Sequence, residues 1–238
     1  MIISHSRRFT FVHIHKAGGT SIETALDPYL SWNDLILGSS ALGQGINKAY
    51  RLRHGLSKHS SVAEIQDICG PVYVDDYYQF AFVRHPIDRI CSLYNFVGSS
   101  IHKLEEKHQV DLKSARPLEK NKALNRAAAL KWPATRAFLA SPSFSKFIRD
   151  ENLALEPAFH TQVSRLSCAT TGKMKGDAYK LEDAEKSLAK IKERLGLDLR
   201  LLHENKSRVV LIEPDKIGAE DRRYLEEKFS ADFAAFGY

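Results

Sequence analysis

Residues 13 to 21 read HIHKAGGTS and stand directly behind the apolar run FTFV. A lysine, two glycines and two hydroxyl residues at the end of a strand are the types that hold an anion. Glycine lets backbone N–H groups face a ligand, a helix N-terminus adds partial positive charge, and the Lys16 ammonium adds a full one. The same residues suit an ordinary strand-to-helix turn, in which Gly18 and Gly19 relax the backbone and Thr20 or Ser21 caps the next helix. The loop is not a Walker A motif, which places its lysine after the second glycine; Lys16 precedes both.

A second group lies in FAFVRHPIDRICSLY, residues 80 to 94. A strand ends at Arg84, Pro86 fits a first helical position, and Ser92 follows about two turns on. An arginine at a strand's carboxyl edge and a hydroxyl on the next helix can converge on a second anion. The alternative is an Arg84–Asp88 ion pair with Ser92 merely packed.

The elements that would position these groups alternate between strand and helix. FTFVHI (9–14) and YYQFAFV (77–83) read as buried strands, and TSIETALDPYL (20–30) as a helix with Ile22, Ala25 and Leu26 on one face. Residues 31 to 57, with four glycines, read as a long loop. SSVAEIQDICG (60–70) carries a Ser61/Glu64 capping box and a terminal Gly70. IDRICSLYNFV (87–97) reads as a helix and 101–118 as a charged, irregular segment. ALNRAAALKW and SFSKFIRDEN read as helices around a proline turn. DAYKLEDAEKSLAKIKERLGL reads as a strand and then a helix ended by Gly196. AEDRRYLEEKFSADFAAFGY reads as one helix with Tyr224, Leu225, Phe229 and Phe233 inward. This order predicts an α/β fold with a largely parallel sheet, and the absence of repeats or a linker predicts one domain over residues 1–238.

Composition narrows the class. The 238 residues are 43% hydrophobic and 27% charged, which suits a globular chain with a substantial core. No apolar run approaches a bilayer's thickness, and Arg7 and Arg8 interrupt any secretory h-region, so a cytoplasmic protein without an integral membrane segment is expected. Cys69, Cys91 and Cys168 lack paired spacing and read as reduced core residues. The net charge of +6 favours an anionic partner. Basic residues are spread without an aromatic-and-basic stripe, so nucleic acid is not the expected one. Histidines and carboxylates do not cluster at ligand spacing, and no metal is expected.

Together, HIHKAGGTS and FAFVRHPIDRICSLY resemble the 5′-phosphosulfate loop and 3′-phosphate segment of sulfotransferases that use 3′-phosphoadenosine 5′-phosphosulfate (PAPS). The similarity is to the carbohydrate branch, sulfotransferase family 2, which includes the heparan 2-O and chondroitin enzymes and soluble bacterial relatives. That branch reads close to HIPKTAGTS and FVRNPYDRLVSAY. SKHSSVAEI resembles its KHxSAxEI segment, and LLHENKS with the terminal DFAAFGY resembles its LPHxNxS and FGY ending. The likeness runs from residue 9 to the C-terminus. His15 stands where the family has proline, His85 where it has asparagine, and HTQVSRLSCATTGKMKG, from residue 160, matches loosely.

The resemblance implies a P-loop-like three-layer fold, with the parallel sheet flanked by helices. It implies sulfuryl transfer from PAPS to a carbohydrate hydroxyl, the acceptor being neutral or acidic, with 3′,5′-adenosine bisphosphate as product. Lys16 would stabilise charge on the leaving 5′-phosphate, held by Lys16, Ala17, Gly18, Gly19, Thr20 and Ser21. Arg84 and Ser92 would read the 3′-phosphate, and Lys206 and Ser207 would cover the donor. His59, in the KH segment ahead of a capped helix, would be the base, since an ordinary imidazole near pKa 6.5 accepts a proton near neutrality. His54 is the next candidate. Lys58 reads as a catalytic partner or a solvent-facing lysine, His13 as structural, and Glu182 carries no assigned chemistry. Arg51, Arg53, His54 and Lys58 are the candidate acceptor contacts. The competing classes are a P-loop-like ATP-dependent kinase and a non-catalytic nucleotide-binding protein.

Overall fold

Short runs of β-branched and aromatic residues, buried on both faces, form the central strands of the structure. The computed structural model describes residues 1–112, 127–140, 143–200 and 209–238. The chain divides into two compact units, the first holding the described parts of residues 1–85, 161–205 and 230–238, the second those of 86–160 and 206–229. In chain order the elements are β1 (Ile2–Ser4), β2 (Phe9–Val12), α1 (Gly19–Leu26), β3 (Leu35–Ile36), α2 (Ala41–His54), α3 (Val62–Cys69), α4 (Val72–Asp75), β4 (Tyr78–Val83) and α5 (Pro86–His108). There follow α6 (Pro133–Ala140), α7 (Phe144–Phe147), α8 (Gln162–Leu166), β5 (Asp177–Lys180), α9 (Ala184–Leu195), α10 (Ala219–Lys228) and α11 (Ser230–Phe236).

In the first unit the strands form one sheet in the order β3-β1-β2-β4-β5. β2, β4 and β5 pair in parallel, while β1 runs antiparallel to both β2 and β3. The sheet is thus largely parallel, with β1 reversed. Alternation sends Phe9, Phe11, Phe80 and Phe82 to one face, against Ile22 and Leu26 of α1 and Leu188 and Ile191 of α9. The other face carries Ile3, Val12, Ala81 and Val83, against Val62 and Ile65 of α3, Leu166 of α8 and Phe236 of α11. Helices on both faces make three layers. Each buried phenylalanine contributes about 1.5–3 kcal/mol through the area it removes from water.

In the second unit, α5 packs on α6 and α10. Tyr94 sits among Phe138, Phe144 and Phe147, with ring centroids 5.0–5.4 Å away. Arg89 is fully buried there. Its guanidinium donates to the Ala158 and His160 carbonyls and lies over the Phe229 ring.

Several expectations need correction. Residues 31–57 are not a loop: β3 and the fourteen-residue α2 occupy them. Ser40 caps α2 by accepting from Gly43 N–H, and Gly55 ends it in the left-handed region at φ 75°. Gly43 is its one buried residue, so α2 lacks the apolar stripe from which helices are read. The segment expected to be irregular from 101 is helical through His108, because α5 keeps burying Val97 and Ile101. Pro133 opens α6 rather than forming a turn, as suits a residue without an N–H. Within ALNRAAALKW, residues 127–132 are described, and they form a 3-10 turn at Ala128–Lys131. SFSKFIRDEN gives one α-turn, α7, and a 3-10 turn at Glu151–Leu155. The last helix breaks in two at Phe229. Leu225 and Phe229 are buried as expected, whereas Tyr224 and Phe233 are half-buried.

Phe80 is wholly buried and contacts the Phe9, Phe11, Tyr78 and Tyr179 rings. Phe80→Ala is expected to lower the unfolding free energy by about 3–5 kcal/mol. Leu52→Ala, at an exposed position of α2, is expected to stay within about 0.5 kcal/mol. Urea denaturation of the two variants checks the contrast.

Candidate active site

β2 ends at Val12, and six residues carry the chain to α1 at Gly19. Lys16 at φ 63° and Gly18 at φ 74° are both left-handed, so the loop curls back on itself before the helix starts. For a lysine that conformation costs about 1–2 kcal/mol, which the surrounding packing must offset. Gly19 has a different reason to be glycine: a Cβ there would run into the His13 ring. Ala17 anchors the loop in the core at 1% exposure. Gly18 precedes α1 without a side-chain cap, and Thr20 and Ser21 are half-buried in its first turn.

The charge arrangement around this loop is unusual. Burial, followed by the nearby Arg84 and Lys58 charges, draws the Lys16 ammonium down to about 8. Three cations thus share one region of the first unit, a field that favours an anion. Arg84 sits where β4 ends, its backbone clamped by Gln162. Its N–H donates to Gln162 Oε1 at 2.9 Å and its carbonyl accepts from Nε2 at 2.8 Å. Gln162 and Val163 N–H groups in turn donate to buried Asp232. The next residue, His85, gives its N–H to Glu182, which also accepts from the Tyr238 hydroxyl. Glu182, which the sequence left without a role, supports the turn that carries Arg84.

His59 lies against the same loop. Its Nδ1 is 2.9 Å from the His13 carbonyl oxygen. A carbonyl only accepts, so Nδ1 carries the proton and Nε2 carries the lone pair in the neutral ring. The ring stacks on His15 at 3.6 Å and meets His13 edge-on at 4.6 Å. Burial, then the neighbouring His13 and His15, pushes its pKa well below 6.5 and keeps it neutral. Arg165 donates to the His59 carbonyl and to Glu64, fixing the turn from the side of α8. The Ser61/Glu64 capping box holds the turn from the side of α3.

Beneath both segments lies Glu23, fully buried on α1. It accepts from the Met1 amine at 2.6 Å, His13 Nδ1 at 2.7 Å, and Ser39 N–H and Oγ at 2.9 and 2.7 Å. Lys58 Nζ is 3.8 Å away. Burial alone would raise this carboxyl, but the Met1 amine, His13 and Lys58 overcome it and hold it well below the carboxylate range. Lys58 also donates to Ser39 Oγ at 2.8 Å and Thr20 Oγ1 at 3.4 Å. It is therefore a half-buried member of the site rather than a solvent-facing lysine, and burial lowers its pKa.

The sequence did not single out Glu23, Ser39, Gln162 or Arg165. One signal for Glu23 was present, a carboxylate beside Ile22 and Leu26 on the inward side of an amphipathic helix. His13, read as structural, proves also to fix the His59 tautomer. Of the other candidates, Arg51, Arg53 and His54 occupy the last turn of α2 and are exposed. Ser92 is half-buried on α5, in the second unit. Lys206 and Ser207 lie outside the described residues. Among the described residues, no three histidine, cysteine or carboxylate side chains gather as a metal site, and no helix is long and apolar enough to cross a membrane.

Two consequences are measurable. Burial, against the pull of Glu23, takes His13 down to about 4, whereas an unfolded histidine titrates near 6.5. The native state therefore binds fewer protons between those values, and stability should fall as pH drops from about 6.5 toward 4. In urea titrations across that range, His13→Asn should lose part of the slope. An unchanged slope would remove the assignment. Glu23→Ala leaves several buried donors without their acceptor and should cost about 3–5 kcal/mol at neutral pH.

The model of the sulfotransferase family matches the chain over residues 1–238. No curated protein and no solved structure matches it. A match along the whole length settles membership, and the chain belongs to the sulfotransferase family.

Proposed function

We propose that this sulfotransferase moves a sulfuryl group from PAPS to a carbohydrate hydroxyl, with His59 as base and both units acting as one sulfotransferase domain. The observation that carries the reading is the bond from His59 Nδ1 to the His13 carbonyl. It ties a neutral imidazole, basic at Nε2, to the loop that bears Lys16. In the proposed step the acceptor hydroxyl oxygen attacks sulfur while its proton passes to Nε2. The sulfur–oxygen bond to the 5′-phosphate breaks in line, and its electron pair leaves with adenosine 3′,5′-bisphosphate. As in phosphoryl transfer, the protein's work is positioning and charge neutralisation.

Lys16 neutralises the leaving phosphate, and the backbone N–H groups of Gly18, Gly19 and Thr20, with the Ser21 hydroxyl, hold it at the uncapped start of α1. Arg84 follows β4 as Lys16 follows β2, and the two strands are adjacent and parallel. Their carboxyl ends lie at one edge of the sheet, where α/β folds bind ligands. In this reading Arg84 recognises the 3′-phosphate that separates PAPS from ATP. The depressed basicity of His59 keeps it unprotonated, and so able to accept, through the neutral range.

Ligands that bind the native state raise its melting temperature by mass action. Adenosine 3′,5′-bisphosphate is expected to stabilise the protein more than 5′-AMP or ATP with Mg²⁺, and Arg84→Ala to abolish the preference. His59→Ala should keep bisphosphate affinity and lose turnover by about 10²–10⁴-fold. An equal or larger response to ATP with Mg²⁺ would overturn the reading in favour of a kinase. Unchanged turnover in His59→Ala would remove the base.

A further inference from the structure

A cavity of about 480 Å³ opens beside the loop, within the first unit, and is lined by Thr20, Thr24, Ser39, Gln44, Asn47 and Lys58. That volume is in the range that holds a small organic ligand. Its lining is distinctive, for it holds hydroxyls, amides and one ammonium, and no aromatic or aliphatic side chain. The wall is built rather than incidental. Asn47 Oδ1 accepts from Lys58 N–H at 2.9 Å, which orients the amide by its oxygen and leaves two Nδ2 donors. Gln44 Nε2 donates to the Ser39 carbonyl at 2.9 Å, which leaves Oε1 as an acceptor. Gly38 backs the cavity because any Cβ there would strike the Glu23 carboxylate.

α2, which supplies Gln44 and Asn47 to the wall, runs on beyond the cavity. Gln44, Asn47, Lys48 and Arg51 stand at i, i+3, i+4 and i+7 and share one face of that helix. α2 has no acidic residue in its first turn, and its last turn carries Arg51, Arg53 and His54. Exposed Lys48 and Arg51 therefore stand on the same face of α2 as two residues of the cavity wall. That wall shares Thr20 with the Lys16 loop and Lys58 with the segment that carries His59.

We propose that this cavity is the acceptor site, and that it takes a sugar ring of an acidic oligosaccharide whose carboxylates or sulfates lie along Lys48 and Arg51. A hydroxyl-rich ring matches a wall of amides and hydroxyls, which can donate and accept in turn. A chain with repeated negative charge matches cations spaced one helical turn apart. The inference rests on the sulfotransferase reading for its chemistry, but it is a statement about binding and is tested as such.

The test is calorimetric titration of a uronate-bearing oligosaccharide and its carboxyl-reduced counterpart into wild type, Gln44→Trp, Arg51→Glu and Lys190→Ala. Adenosine bisphosphate binding is measured on each as a check of the fold and of the donor reading. Gln44 and Arg51 are exposed, so the substitutions leave the core intact. Gln44→Trp fills the cavity and should weaken both oligosaccharides about tenfold or more. Arg51→Glu should weaken only the acidic one by about tenfold. Lys190→Ala, on α9, should change neither. No oligosaccharide binding to wild type, or binding indifferent to Gln44→Trp, overturns the site even where bisphosphate still binds. Equal affinity for the carboxyl-reduced counterpart overturns the acidic track. Oligosaccharide binding with the expected variant pattern but no bisphosphate binding supports the site and sinks the donor reading instead.

Discussion

A buried carboxylate has to be compensated, and Glu23 is compensated by the segments that form the site. The start of β1, the end of β2, the turn after β3 and the strand-free stretch before α3 all send a donor to it. An unpaired charge in that position would cost several kcal/mol, so these segments are held together by the requirement to satisfy one group. The consequences reach the chemistry. His13, fixed by Glu23, offers its carbonyl to His59 and selects the tautomer with a basic Nε2. Lys58, drawn toward Glu23, is kept beside Thr20 at the start of α1.

The sheet provides the other half of the arrangement. Because β2 and β4 are parallel neighbours, the loops that leave them emerge at the same edge. Lys16 and Arg84 are far apart in the chain and electrostatically close in the fold, so the Arg84 charge adds to burial in lowering the Lys16 pKa. The clamp of Gln162 and Asp232 on Arg84, and of Glu182 on His85, uses residues from the last part of the chain. Residues 161–182 therefore matter for positioning, although they carry no recognisable motif.

How far the sequence could be read depended on whether an element announces itself locally. β2 and β4 are short, mostly apolar runs, and α3 and α9 end at glycines, so all four were legible to within a few residues. α2 was not, since it buries almost nothing and its signals are only Ser40 before it and Gly55 after it. The 101–108 stretch was misread for a related reason, as its charges mask the buried Val97 and Ile101 that sustain α5.

At the site the same division holds. Residue types in a short window, such as Lys16 with its glycines or Ser61 with Glu64, follow from local backbone geometry and hydrogen bonding, so the sequence alone carried them. It also carried the likeness to the sulfotransferase family, which the match over residues 1–238 bears out. Which nitrogen of His59 is basic, that Lys58 belongs to the site, and that Glu23 joins its segments were decided only by the tertiary structure. Each depends on partners distant in the chain, up to 46 positions in the case of His59 and His13, and burial gives those contacts a strength that no local pattern encodes.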